Sequence, residues 1–291
     1  MSLLPPAIYA AVTDALGPIA SERALSGGDS NHAALVTTGK RPCVVKWHDP
    51  ALPGFFAMEA DGLRRLGAAN ALRVPQVLAV SDAPAFLALE YLPPQPPVDK
   101  HAFTQRFAEG LAALHHVPSP NGKYGLEHDN FLGSQPQPNG WLDTWPDFYR
   151  TRRLLPQWDK ARGRGLIPAH REHLLGQVTA QLDTLLDFHA RPVLVHGDLW
   201  SGNFLSTANG MPALIDPAVH YADREVELAF VELFGGFPRG FVRAYDSVYP
   251  FQDGYARRRP LHQLYPLLVH LNHFGETYGP SVDRACADAL A

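Results

Sequence analysis

Two carboxylates and an amide stand in this chain at a spacing suited to phosphate chemistry. Leu194-Val195-His196-Gly197-Asp198-Leu199-Trp200-Ser201-Gly202-Asn203-Phe204 is a His-x-Asp-x-x-x-x-Asn loop, and the next apolar run ends in Leu214-Ile215-Asp216. Such a set surrounds a phosphate-bound metal with oxygen donors. Asp198 would accept the proton of an acceptor hydroxyl and orient it toward phosphorus, because a hydroxyl is a poor nucleophile until a carboxylate holds it in line. Asn203 offers Mg²⁺ a neutral oxygen, and Asp216 offers the hard anionic oxygen that Mg²⁺ prefers. Neutral His196 would brace the loop backbone. The match alone also fits an ordinary hairpin with a polar tip. The apolar runs at 193–195 and 213–215 on either side favour phosphoryl transfer.

The upstream half supplies candidates for the rest of such a centre. Ser26-Gly27-Gly28-Asp29-Ser30-Asn31 is a small polar turn. Backbone N–H groups across Gly27, Gly28, Asp29, Ser30 and Asn31 can meet the phosphates of ATP. The order is not G-x-G-x-x-G, and Gly-Gly turns are common. Residues 33–35 and 43–45 read as strands joined by a hairpin around Thr37 to Gly39. Lys46 ends the second strand, which aims its cation into the cleft; read alone, it is a solvated strand-end lysine. Glu59 lies in a helical pattern with Phe55, Phe56, Leu63 and Leu66, from which it can reach back to Lys46 and fix the ammonium toward the α- and β-phosphates. An exposed helix glutamate is the competing reading. Turn, lysine, glutamate, loop and second aspartate follow one another in kinase order.

The elements that must position these residues can be read in outline. Ile8, Val12 and Leu16 give residues 1–20 a short helical pattern that stops at Gly17-Pro18. Strand-like runs then alternate with the single Glu59 helix up to residues 85–92, where Pro93-Pro94-Gln95-Pro96-Pro97 reads as a stiff connector. Backbone groups of Glu90, Tyr91 and Leu92 are placed to hydrogen-bond an adenine edge. From Phe103 the pattern is mainly helical, and Phe103, Phe107, Leu111 and Leu114 form one stripe that packs under the catalytic loop. One helix is expected over residues 169–188, with others after Arg224 and Leu261. The expected organisation is an N-terminal lobe over 1–92, a Pro-rich linker over 93–99 and a C-terminal lobe over 100–291.

With 291 residues and 46% hydrophobic content, the chain can bury a large core. A net charge of −4 gives no general drive toward nucleic acid. Cys43 and Cys286 are far apart and form no C-x-x-C, so neither a disulfide framework nor a zinc site is indicated. The 14 histidines include no H-E-x-x-H, and His115, His116, His270 and His273 read as helix-face or core residues. No basic segment precedes an apolar N-terminal core, and nowhere do 18 apolar residues run together. A soluble cytoplasmic protein without a membrane partner is the expectation. Trp141, Trp145, Phe148, Tyr149 and Trp200 could offer flat faces to a sugar ring, although aromatics in a helical lobe are more often core. Arg150, Arg152 and Arg153 could meet an anionic substrate but read first as a solvated face, and Arg257, Arg258 and Arg259 read as a solvated loop.

The loop from His196 to Asn203 resembles the catalytic loop of the fructosamine kinase (ketosamine-3-kinase) family, a branch of the protein-kinase-like fold close to aminoglycoside phosphotransferases and choline kinases. Trp200-Ser201 is the informative pair, since the aminoglycoside branch more often carries His-Pro there. The resemblance extends through Ser26-Gly27-Gly28-Asp29-Ser30-Asn31, Asp129-Asn130-Phe131-Leu132-Gly133, Trp145-x-x-Phe148-Tyr149 and Tyr221-Ala222-Asp223-Arg224-Glu225-x-Glu227-Leu228-Ala229, and covers nearly the whole chain. The segment from Tyr124 to Leu154 is its most specific part.

The resemblance implies an α+β, protein-kinase-like two-lobe fold, with an N-terminal antiparallel sheet and helix and a mainly helical C-terminal lobe. It also implies ATP- and Mg²⁺-dependent phosphorylation of a sugar hydroxyl on a small-molecule ketosamine or glycated amine. In this family the phosphoester can then eliminate and free the amine, which is protein or metabolite repair. Asp198 and Trp200 would give the acceptor a carboxylate and a flat wall. The residues themselves reach only a hydroxyl acceptor. A kinase acting on an amino alcohol or aminoglycoside would keep every phosphate and metal residue. A pseudokinase binding module would lack one of Lys46, Asp198, Asn203 or Asp216, and all four are present.

Overall fold

Alternating burial builds the first layer of the protein, a computed structural model of which describes residues 2–25, 32–39, 41–48, 50 and 52–291. Strands β1 (Ile19–Ala24), β2 (His32–Thr38), β3 (Arg41–Trp47), β4 (Val77–Asp82) and β5 (Ala85–Glu90) form an antiparallel sheet in the order β1-β2-β3-β5-β4. Helix α1 (Pro6–Leu16) covers one face, packing Ile8 and Val12 with Val36, Val45, Phe86 and Ala88. Helix α2 (Phe55–Ala69) packs Phe56 and Leu63 with Leu87 and Leu89 on the other. The unbroken apolar run in β5 follows from this, because a strand covered on both faces buries both sets of alternating side chains.

Past the Pro-rich connector come α3 (Lys100–Leu114), the hairpin β6 (Asn130–Leu132) and β7 (Gln135–Gln137), α4 (Trp145–Phe148), a π-helical turn Tyr149–Leu154, α5 (Leu155–Gly163), α6 (Ala169–Ala180) and α7 (Leu182–Leu185). Strand β8 (Val193–Val195) pairs with β11 (His220–Ala222), and β9 (Phe204–Thr207) pairs with β10 (Met211–Leu214). Helices α8 (Glu225–Phe234), α9 (Phe241–Val248), α10 (Tyr255–Phe274) and α11 (Gly279–Leu290) complete the chain. Asp99 caps α3 by accepting the Ala102 amide at 2.9 Å. The expected stripe of Phe103, Phe107, Leu111 and Leu114 is buried and packs with Leu194, Leu199 and Leu214 around the catalytic loop. The α+β two-lobe architecture expected from the sequence is the one the chain adopts.

Three local expectations are corrected. The helix expected over 169–188 is two helices broken at Gln181, whose φ of −103° and ψ of 6° leave the helical region although no Gly or Pro marks the break. Arg153 is 1% exposed rather than solvated; its guanidinium packs over Phe148 and Tyr265 and donates to Asn139 Oδ1 at 2.9 Å. Arg257, Arg258 and Arg259 belong to α10, and Arg258 is buried in a two-pronged pair with Glu225.

Helix α10 contains Pro266, which cannot donate to the preceding turn. The Tyr149 hydroxyl enters the helix there. It donates to the Leu261 carbonyl at 2.8 Å and lies 3.2 Å from the His262 carbonyl, the one that Pro266 leaves without its helical donor, and it accepts the Tyr265 amide at 3.3 Å. The π-helical turn that carries Tyr149 thus sets the course of α10, which walls the cleft described below.

Candidate active site

The loop from His196 to Asn203 leaves β8 through Gly197. That residue has φ of +83°, and a Cβ there would lie 2.1 Å from the Ala218 carbonyl oxygen, so glycine alone fits. The Gly197 amide donates to Glu227 Oε1 at 2.8 Å. Glu227 Oε2 accepts His115 Nε2–H at 2.9 Å, and His115 Nδ1 accepts the Tyr245 hydroxyl at 2.7 Å. Glu227, His115 and Tyr245 are all buried. Burial opposes the Glu227 charge, but the bonds from His115 and Gly197 hold its carboxyl below the ordinary value. Sequence reasoning assigned Glu227 no role, since its partners lie on other elements.

Burial depresses His196 and keeps its ring neutral. Nε2 donates to the Ile215 carbonyl at 2.9 Å, and Nδ1 accepts the Asp198 amide at 3.3 Å, so the ring ties the loop to the segment bearing Asp216. Asn203 Nδ2 donates to the Asp198 carbonyl at 2.8 Å and to Asp198 Oδ2 at 3.0 Å. Its Oδ1 accepts no hydrogen bond among the described residues. Asp216 adopts φ of +54°, a left-handed conformation that aspartate tolerates better than most residues. Burial first, and then the Asp216 charge, push the Asp198 carboxyl up to about 7, against the lowering effect of Asn203.

Lys46 and Glu59 are both buried, and Lys46 Nζ lies 2.6 Å from Glu59 Oε1 and 3.0 Å from Asp216 Oδ1. Neither is the solvated residue that it resembles in isolation. Burial works against the Lys46 charge, but Asp216 and Glu59 outweigh it and raise the ammonium above its ordinary value. Trp200 folds over Gly202, where a Cβ would lie 2.3 Å from the indole, and the ring remains 43% exposed.

Lys46, Glu59, Asp198, Trp200, Asn203 and Asp216 share one cavity of about 510 Å³. Its far wall is aromatic and comes from α8 and α10, a contribution that sequence reasoning missed because those residues read as core. Glu90, Tyr91 and Leu92 do not line it. The Glu90 amide is taken by the Gln76 carbonyl at 2.8 Å and its carboxylate by Arg73 at 2.6 Å, while Leu92 is buried. The expected phosphate turn of Gly27, Gly28, Asp29, Ser30 and Asn31 lies outside the described residues.

The sequence profile of the fructosamine kinase family matches residues 6–291. A relative named as a probable ketoamine kinase, from Synechocystis, is 38% identical over 276 residues, covering 94% of this chain and 91% of its own. Another of that name, from Lactiplantibacillus plantarum, is 38% identical over 89% of this chain and 91% of its own. A crystal structure of a candidate fructosamine-3-kinase from Thermobifida fusca is similar with a TM-score of 0.88 at 35% identity, covering 97% of this chain and 98% of that one. An aminoglycoside phosphotransferase solved with AMP-PNP and hygromycin B shares the fold, with a TM-score of 0.68 at 19% identity over 99% of this chain and 100% of that one.

Proposed function

The chain belongs to the fructosamine kinase family and is an ATP-dependent phosphotransferase, and from that premise we propose that it phosphorylates a sugar hydroxyl of a small-molecule ketosamine, with elimination of the phosphoester later freeing the amine. The observation that carries this reading is the single cavity shared by Asp198, Asp216, Lys46 and the exposed ring of Trp200. Asp198 orients the acceptor hydroxyl and takes its proton, from a position fixed by Asn203 Nδ2, which donates to its Oδ2 at 3.0 Å. Lys46, kept charged by its two carboxylates, meets the donor's phosphates. Trp200 offers the flat face on which the sugar rests.

The donors fit Mg²⁺. Asp216 provides a carboxylate, and Asn203 provides an amide oxygen that its own hydrogen bonds leave unused. When bound, Mg²⁺ neutralises charge on the phosphate oxygens. The turn of Gly27, Gly28, Asp29, Ser30 and Asn31 completes the nucleotide side, together with backbone groups of Tyr91 and Leu92. In this reading residues 1–92 hold the nucleotide, 93–99 connect, and 100–291 hold the acceptor. A cytoplasmic location accords with the free, buried thiols of Cys43 and Cys286. No helix among the described residues is long and apolar enough to cross a membrane.

An ATP-consumption screen of the purified protein against ribulosamines, fructosamines, aminoglycosides and choline tests the proposal. A ketosamine should give the highest kcat/KM. An aminoglycoside or choline surpassing every ketosamine would overturn the acceptor and leave phosphoryl transfer standing.

A further inference from the structure

Past Trp200, the cleft changes chemistry. Among the described residues, its three lining carboxylates, Glu59, Asp198 and Asp216, all stand at the transfer end. The opposite wall, from α8, α10 and the turn into α11, presents Phe230, Phe234, His270, His273, Phe274 and Tyr278. Their rings form one connected surface. Centroids lie 5.1 Å apart for Phe230 and Phe234, 4.4 Å for Phe234 and His270, 5.0 Å for His270 and Tyr278, and 4.5 Å for His273 and Phe274. His270 Nδ1 donates to the Pro266 carbonyl at 2.8 Å. Phe274 is 50% exposed at the edge of this surface, where an uncovered aromatic marks a place to be covered.

The wall is also stiff. Arg171, 1% exposed, donates to Glu276 at 2.9 Å, to Asp283 at 2.7 Å and to the Leu166 carbonyl at 2.6 Å, clamping the turn Gly275–Tyr278 between α6 and α11. The Tyr149 hydroxyl fixes α10 from the other side. A rigid aromatic surface binds an apolar group at little ordering cost.

We propose that this wall is a subsite for the group carried on the ketosamine nitrogen, and that it selects aromatic or branched apolar groups over short polar or cationic ones. The proposal rests on the ketosamine reading above. With the sugar hydroxyl at Asp198 and the sugar face on Trp200, the nitrogen substituent is the remaining part of the acceptor; the cavity sides left to it are the polar β6–β7 hairpin, with Asn130, Ser134 and Gln135, and the aromatic wall, and only the wall offers a continuous apolar surface. A second cation on the substituent would meet no carboxylate among the described residues of that wall, since the three that line the cavity are engaged at the transfer end.

Three fructosamines differing only in the nitrogen substituent, benzyl, 2-hydroxyethyl and 2-aminoethyl, test this by steady-state kinetics at saturating ATP. The benzyl compound should surpass the hydroxyethyl compound by about tenfold in kcat/KM, mostly through KM, as expected for burying a phenyl-sized surface. In Phe234→Ala, and separately in the half-exposed Phe274→Ala, that ratio should fall toward one while KM for ATP holds. Equal efficiencies in the unmodified enzyme, or preference for the aminoethyl compound, would overturn the subsite alone. Failure of all three alongside turnover of an aminoglycoside would overturn the ketosamine reading itself.

Discussion

Glu227 accepts the Gly197 amide at 2.8 Å and so fixes the entrance of the catalytic loop from a helix 30 residues further along the chain. Its second oxygen holds His115 on α3, so one carboxylate joins three elements. Glu227→Ala would strand two buried donors, at about 1–3 kcal/mol each, and loosen the loop that aims Asp198. We expect kcat to fall by roughly 10- to 100-fold with KM for ATP nearly unchanged, and Glu227→Gln to recover part of the loss because it keeps an acceptor for Gly197. Steady-state kinetics of both variants decide the matter; an unaltered kcat in the alanine variant contradicts it.

Asp198→Asn keeps the shape of the side chain and removes its basicity. Turnover should drop by about 10²- to 10⁴-fold while nucleotide affinity is retained. The assignment fails if single-turnover rates stay within about threefold of wild type.

Asp216→Ala removes a carboxylate that lies 3.0 Å from Lys46, on a residue whose main-chain carbonyl accepts from Asn203 Nδ2 at 3.4 Å. ATP binding measured by calorimetry with and without Mg²⁺ should lose most of its metal dependence. A variant that responds to Mg²⁺ as wild type does would show that Asp216 is not a metal ligand.

Tyr149→Phe deletes the hydroxyl bonded to α10 and takes its bonds from the Leu261 and His262 carbonyls and the Tyr265 amide. Urea unfolding should show a loss of about 1–3 kcal/mol. No change in midpoint would show that the hydroxyl's bonds to α10 add nothing to stability.

Acid should destabilise the protein through its buried histidines. Burial, and then Arg258, hold His262 down to about 3 from an ordinary 6.5, so below 6.5 the unfolded chain binds a proton that the folded chain refuses. The stability this ring supports is full above 6.5 and is lost progressively as pH falls toward 3. His115, His196, His220 and His270 shift in the same direction. Each contributes a slope on the order of 1 kcal/mol per pH unit between its unfolded and folded values. His262→Gln keeps a side-chain acceptor for Trp145 and cannot titrate, so its unfolding midpoints between pH 7.5 and 5 should fall less steeply than those of wild type. Parallel pH profiles would refute the attribution.

Local spacing explains what could be read from the sequence. Asp198 and Asn203 belong to one loop, and Asp216 ends the strand that returns to it, so their proximity follows from a hairpin's geometry. Lys46 and Glu59 were readable for the same reason, being separated by one strand end and the start of one helix. Glu227 was not, because its bond to His115 joins positions 112 apart and nothing local distinguishes it from other acidic residues at a helix start. The aromatic wall was hidden in another way. Phe230, Phe234 and His270 have the spacing of ordinary core residues, and only the placement of α10 against the loop turns one side of them toward a cavity. Arg153 looked solvated because charged residues usually are, and the rings of Phe148 and Tyr265 that shelter it come from separate segments.

The β9–β10 hairpin is tied to the sheet-bearing half of the protein by the Leu214 amide on the Arg73 carbonyl and to the Pro-rich connector by the Gln95 amide on the Ser206 carbonyl, each at 2.8 Å. Helix α2 adds ties of its own, since Arg65 pairs with Glu127 and His128 meets Asp61. Asp216, which follows the hairpin, and Lys46, which is braced by Glu59 on that helix, therefore meet between two anchored seams. The charged pair at the floor of the cleft is held in place by backbone and side-chain ties that none of its own residues supplies.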